Sequence, residues 1–297
     1  MSMMVALVGA QPLPNFIPIR AAQPEAVLLI YTTFTEKVYE QLRDVLNQET
    51  TVYGLKTDPY NIPVIEHEVR NWFDTRKMNY SNVEFNLTGG TKAMSLAMYR
   101  IAAAYQVPVI YIESEGKKSR VYRYAWDDNV FSLNTTDLLP ACVTLDDFLN
   151  IYLGRGNWRE FGVGQTEGSA FESAVAEALR AQGYDVMIGV KVLKKQVEID
   201  VLVRWENQFG IIEAKSGNAG KKLDGIKQLN NAVRQLGLYT QLFYVITVEP
   251  TPEHDAVVAA SKIQVIPLLN YVPGASTLTA EDVHLLVEKV DKEIKGT

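Results

Sequence analysis

Apolar residues recur with two different periods along this chain, and their arrangement changes partway through. Val5–Val8, Val27–Tyr31, Val83–Leu87 and Val107–Ile112 are short continuous apolar runs, the pattern of strands buried on both faces. Between them, Thr35–Asn47, Ile62–Lys77 and Lys92–Tyr105 repeat apolar residues at helical spacing. Strand and helix alternating in this way predict an α/β layer with a mostly parallel sheet, whose ligands bind at the carboxyl ends of the strands. The apolar stretch from Met3 to Ala10 is short, lacks a basic leader and runs into Pro12 and Pro14, so it reads as a buried first strand rather than a signal peptide.

The pattern loosens from about Asn150 to Gly168, where five glycines fall close together. Residues 150–168 are therefore expected to form a linker between a domain at 1–149 and another at 169–297. The order then changes. A helix over Ser169–Gln182 precedes strands at Asp185–Ile188, Val197–Trp205 and Phe209–Ala214. A helix (Lys222–Leu236), a strand (Leu242–Thr247), a helix (His254–Ser261) and a strand (Gln264–Pro267) follow. This is a second α/β unit with a different topology, led by a helix and an antiparallel ribbon.

Composition narrows the function classes. The 297 residues are 47% hydrophobic and 22% charged, ordinary for a globular protein, and leave room for two cores. No apolar stretch approaches the roughly 20 residues that span a bilayer, so no membrane association is expected. The single cysteine, Cys142, excludes an intrachain disulfide and a cysteine-rich zinc site, and His67, His254 and His284 are too scattered for a histidine cluster. A cytoplasmic location is the expectation. The net charge of −6 argues against nonspecific coating of nucleic acid but permits a local basic patch. Lys191, Lys194 and Lys195, with Lys221, Lys222, Lys227 and Arg234, supply either such a patch or a solvated basic face.

Those lysines bracket the strongest chemical signal, Glu198-Ile199-Asp200 and Glu213-Ala214-Lys215. Alternation along a strand puts Glu198 and Asp200 on one face, and likewise Glu213 and Lys215. A two-residue turn at Glu206-Asn207, with Asn207 tolerating the positive φ, would set Asp200 opposite Glu213 and Glu198 opposite Lys215. Three carboxylates and an ammonium on one sheet face need a cation, and hard oxygen ligands suit Mg²⁺ or Mn²⁺. That chemistry fits phosphodiester hydrolysis. Either half alone would read as cross-strand salt bridges, but buried apolar flanks make idle charges expensive.

Helix with acid, E-x-D, hairpin, E-x-K and helix, over roughly Gln165 to Pro267, resembles the PD-(D/E)xK restriction-endonuclease-like superfamily. The resemblance implies Asp200, Glu213 and Glu172 as metal ligands, with Lys215, Glu198 and Gln228 as further catalytic residues. Glu172 has a local alternative, since Ser169-x-x-Glu172 is also a capping box. The superfamily's proline before the aspartate is replaced by Ile199.

In the first half, Val83–Leu87 runs into Thr88-Gly89-Gly90-Thr91-Lys92 and a helix follows at once. Two glycines permit a tight turn, and the helix start with Thr88, Thr91 and Lys92 makes a phosphate seat or a plain β–α turn. The Walker A spacing is absent. Asn86 to Met94 resembles the ligand motif of CARF domains, CRISPR-associated Rossmann-like sensors of cyclic oligoadenylates, over about residues 1 to 140. The resemblance places further ligand contacts at Gly9, Ala10, Gln11, Pro12, Asn15, Thr32 and Thr33, beside Thr88, Gly89, Gly90, Thr91 and Lys92. A CARF domain fused to such a nuclease looks like the ancillary nucleases of type III CRISPR systems. It implies a homodimer activated by cyclic tetra-adenylate that cuts DNA, RNA or both with Mn²⁺ or Mg²⁺. A CARF-type transcription regulator and an ungated repair or restriction nuclease are the alternatives.

Overall fold

The computed structural model describes residues 2–115, 118–164, 167–193 and 197–296; Lys194 and Lys195 of the expected basic patch lie outside them. The chain divides into two units, Met1–Val143 and Thr144–Thr297.

The first unit runs β1 (Met3–Leu7), α1 (Leu13–Ala22), β2 (Ala26–Tyr31), α2 (Glu36–Leu46), β3 (Thr51–Lys56), α3 (Ile62–Thr75), β4 (Val83–Asn86), α4 (Lys92–Tyr105), β5 (Val109–Glu115), β6 (Lys118–Asp127) and β7 (Val130–Leu138). The sheet order is β3-β2-β1-β4-β5-β6-β7. Strands β1 to β5 pair in parallel, and β6 and β7 extend the sheet antiparallel. Strand order reverses between β1 and β4, the place where open α/β sheets bind ligands.

Helix α1 leaves no helical signature in the sequence because Pro12, Pro14 and Pro18 break its pattern. Pro14 sits in the first turn, where no N–H is needed. Pro18 has no N–H to give the Pro14 carbonyl, and the Asn86 amide donates to that carbonyl instead, at 3.0 Å.

The second unit runs α5 (Leu145–Leu153), β8 (Trp158–Glu160), α6 (Glu167–Arg180), β9 (Asp185–Val192), β10 (Val197–Trp205), β11 (Gln208–Lys215), a 3₁₀ turn (Gly217–Lys221), α7 (Asp224–Leu236), β12 (Gln241–Ile246), α8 (Pro252–Ala260), β13 (Ile263–Pro267) and α9 (Ala280–Ile294). The sheet order is β13-β12-β11-β10-β9-β8, antiparallel from β8 to β11 and parallel from β11 to β13. Val201, Val203, Ile212 and Ala214 share one core with Phe171, Val175 and Leu179 of α6 and Leu286, Val290 and Ile294 of α9. Alternation turns Asp200, Glu213 and Lys215 to the opposite face, where Gly225 of α7 approaches Glu213.

The unit boundary falls before the expected linker. Residues 150–168 include the end of α5 and all of β8, which pairs with β9 through Trp158↔Val192. The glycines there serve a bent sheet edge: Gly189 (φ 67°) faces Gly162, and a Cβ on Gly189 would lie 2.5 Å from the Gly162 carbonyl oxygen.

Candidate functional site

The hairpin fixes the carboxylate–lysine cluster. Trp205↔Gln208 and Val201↔Ile212 give the register that sets Asp200 against Glu213. The turn is the two-residue Glu206-Asn207, but its positive φ falls on Glu206 (53°) rather than Asn207, because the first central position of this turn carries the left-handed geometry.

Asp200 Oδ2 accepts from the Ala214 amide at 2.9 Å and from Lys215 Nζ at 2.9 Å. Lys215 Nζ also lies 2.6 Å from Glu213 Oε1, so one ammonium is held between two buried carboxylates. Burial, then Asp200, pushes the Glu213 carboxyl up to about 8, against the opposing pull of Lys215. Burial works against the Lys215 charge, but Asp200 and Glu213 outweigh it and hold its pKa above the ordinary lysine value. Tyr244, beside Glu213 on β12, is pushed up to about 12 by burial and bonds to the Lys222 carbonyl at 3.0 Å.

Glu172 stands on α6 at the margin of this cluster. Burial, then the Asp200 charge, raises its carboxyl to about 7. Helix α6 begins at Glu167, so Ser169 lies inside the first turn and does not cap it; the capping-box alternative for Glu172 falls away.

Two expected members stand elsewhere. Glu198 is exposed and pairs with Lys191 on β9 at 3.1 Å, not with Lys215, because the β9–β10 register sets Glu198 against Lys191. Gln228 is exposed on α7 with no hydrogen bond to the carboxylates.

Among the described residues no group of three or more His, Cys, Asp or Glu side chains is arranged to hold a metal ion. Glu172 approaches the pair Asp200 and Glu213 from α6, with Asp200 acting on its charge. Asp200 and Glu213 still fit a divalent ion that binds through one or two carboxylates and keeps several waters. Glu213 Oε1 is buried with the Lys215 ammonium 2.6 Å away, and a divalent ion would share this oxygen with that lysine.

In the first unit, the carboxyl ends of β1 and β2 and the turn after β4 surround a cavity of about 610 Å³. Gly9, Ala10, Thr32, Thr33, Gly90 and Thr91 line it, as expected. Thr91 caps α4, accepting from Met94 N at 3.2 Å and donating to the Pro59 carbonyl at 2.5 Å.

The remaining expected contacts do not line the cavity. Asn15 is fully buried, donating to the Leu7 carbonyl at 2.9 Å and accepting from Asn86 at 3.3 Å. Thr88 donates to Asn86 Oδ1 and accepts from Ile112 N at 2.9 Å. Gly89 lies against β1, where a Cβ would sit 2.0 Å from the Leu7 carbonyl oxygen. Gln11, Pro12 and Lys92 are likewise not lining residues.

Sequence reasoning missed Phe34, Pro59 and Tyr60, which complete the lining. Phe34 is 88% and Tyr60 76% exposed, so two aromatic rings project at the rim. The signal was Asp58, whose carboxylate accepts from Tyr60 N and Asn61 N at 2.7 and 2.8 Å and shapes the loop before α3.

Residues 3–136 match the family model described as the Card1 CARF domain. Among solved structures, Can2 from Sulfobacillus thermosulfidooxidans in complex with cyclic tetra-adenylate is similar at a TM-score of 0.73 and 16% identity, over 97% of this chain and 96% of that one. Protein VC1899 from Vibrio cholerae is similar at 0.69 and 14% identity, over 99% and 98%. A type III CRISPR defence DNA nuclease activated by cyclic oligoadenylate gives 0.67 at 15% identity, over 97% of this chain and 51% of that one. No curated protein matches the chain in sequence. Residues 3–136 thus resemble a CARF domain, and the two α/β units together share the fold of these solved structures. No helix among the described residues is long and apolar enough to cross a membrane.

Proposed function

We propose that this protein is a metal-dependent nuclease of CRISPR antiviral defence, switched on by cyclic tetra-adenylate in the CARF cavity of a homodimer. The observation that carries the reading is Lys215 held at 2.9 and 2.6 Å between Asp200 and Glu213 on facing strands. The neighbour solved with cyclic tetra-adenylate and the neighbour that is a cyclic-oligoadenylate-activated DNA nuclease support it.

Bound Mg²⁺ or Mn²⁺ would supply charge stabilisation at the scissile phosphate and a more acidic water. Asp200 and Glu213 would hold that ion. The Ala214 amide fixes Asp200, and the two carboxylates fix the Lys215 ammonium, so its charge is already in place where a phosphate oxygen becomes more negative. Glu172, with a carboxyl near 7, is suited to take up or release a proton at neutral pH. A ring of four identical nucleotides accommodates twofold symmetry and would meet the same cavity in two protomers. Activation requires tighter ring binding to the cleavage-competent state than to the resting one.

The test incubates the full chain with plasmid and with single-stranded RNA in Mn²⁺, with and without cyclic tetra-adenylate, and repeats it with Asp200→Asn. The expected result is ligand-dependent cleavage that the substitution reduces at least about a hundredfold, the scale of losing a transition-state contact. Cleavage that needs neither the ring nor Asp200 overturns the proposal.

A further inference from the structure

Asp200 sits between Ile199 and Val201, which pair with Val190 and Ile188 of β9, so the adjoining β9 residue is Gly189. The chain leaving β8 continues this edge: Phe161 N donates to the Gly189 carbonyl at 3.0 Å and Gly162 N to the Ile188 carbonyl at 3.1 Å. Two interstrand spacings, roughly 10 Å, therefore separate the backbone at Phe161 from that at Asp200.

Phe161 is 60% exposed at this edge, and its backbone is held against β9 by its own N–H and that of Gly162. Besides its own bond and that of Gly162, no side chain at 189 fits against the 161–162 backbone, as the close Gly189–Gly162 approach shows. Lys191 Nζ lies 5.2 Å from the Phe161 ring centre and 3.1 Å from the Glu198 carboxylate. The ammonium is thus fixed between an aromatic ring and the rim of the carboxylate cluster. Both Lys191 and Glu198 act on the Glu172 charge, which ties this edge electrostatically to the same site.

A fixed, exposed ring with a lysine beside it is the combination that binds single-stranded nucleic acid: bases stack on the ring and the cation meets the backbone. A base inside a duplex is stacked on both faces and has no free face to offer. We infer that Phe161 and Lys191 form a subsite for an unpaired nucleotide of the substrate strand next to the Asp200–Glu213–Lys215 cluster. The inference rests on the nuclease reading for its ligand class, and it sharpens that reading toward single-stranded or locally opened substrates.

The test measures binding, so that it stands apart from cleavage. Full-length Asp200→Asn protein, with cyclic tetra-adenylate present throughout, is titrated into fluorescein-labelled single-stranded and duplex oligonucleotides and followed by anisotropy. Phe161→Ala is expected to weaken single-strand binding about tenfold, with duplex binding changed less than about twofold. Phe161→Trp should restore single-strand affinity, which a purely structural role for the ring would not predict. Lys191→Met should lower the salt dependence of single-strand binding by about 0.7 in log–log slope, one phosphate contact. Equal single-strand affinity in wild type and Phe161→Ala overturns the inference, as does loss in both substrates that Trp fails to restore, or no nucleic-acid binding at all. Absence of cleavage by the wild-type chain, with the single-strand preference intact, overturns the nuclease reading and leaves the subsite standing.

Discussion

Glu213→Gln should stabilise the metal-free protein at alkaline pH while abolishing its proposed activity. Glu213 is 1% exposed and its carboxyl is raised from 4.5 to about 8 by burial and the Asp200 charge. The folded state therefore holds the proton between about 4.5 and 8, while the unfolded state has released it. Stability from this group is complete below about 4.5 and is lost as pH rises through about 8. A shift of this size corresponds to about 5 kcal/mol of stability lost by pH 8. Glutamine keeps the shape of the protonated acid and cannot ionise. The variant should match the wild type near pH 5 and exceed it near pH 8.5, where about 5 kcal/mol moves the melting transition of a domain this size by roughly 10–20 °C. Thermal unfolding in EDTA at the two pH values reads the difference, and Mn²⁺ should narrow the gap by stabilising only the wild type. A Gln variant destabilised equally at both pH values would refute the assignment of Glu213 as a carboxyl held neutral by burial.

Two further predictions concern the first unit. Tyr60→Ala should weaken cyclic tetra-adenylate binding about tenfold in calorimetry, the cost of one stacked base, while leaving the melting temperature within about 2 °C, because this ring is largely exposed. Gly89→Ala should destabilise the domain by at least about 3 kcal/mol, visible as loss of soluble protein or of its melting transition, because the new Cβ meets the Leu7 carbonyl oxygen at 2.0 Å in rigid backbone. A Gly89→Ala protein of unchanged stability would show that the β1–β4 approach is slack.

What was legible in the sequence follows from which interactions are local. Alternation and turn length are local, and they sufficed to bring Asp200 opposite Glu213 with Lys215 on the same face. The partner of Glu198 depends on a third strand, β9, and a two-strand argument missed it. The helix α1 was hidden by Pro18, whose missing N–H is compensated by Asn86, 68 residues further along; nothing near Pro18 announces that partner. Asn86 also donates to Asn15, which was expected to contact the ligand and is fully buried. Tyr60 and Phe34 reach the cavity from loops whose sequence carries turn chemistry only. The strands β6 and β7 extend the sheet with mixed polarity, without the continuous apolar run that marked β1, β2 and β4.

The cluster's charge balance connects stability to control. Two carboxylates facing one ammonium leave a net charge of one minus when both are ionised, and burial makes that state costly. Near neutral pH the site lowers the cost by keeping a proton on Glu213, which then has one fewer anionic oxygen for a cation. Binding a divalent ion must displace that proton, so metal affinity should rise with pH up to about 8 and proton release should accompany binding. Glu172, raised to about 7 by the same neighbours, adds a second proton to that exchange. Exposing Glu213 to solvent would lower its carboxyl pKa and favour the ionised form that a divalent ion would need. The coupling needs no wire between distant residues, only a change in the burial of one carboxylate.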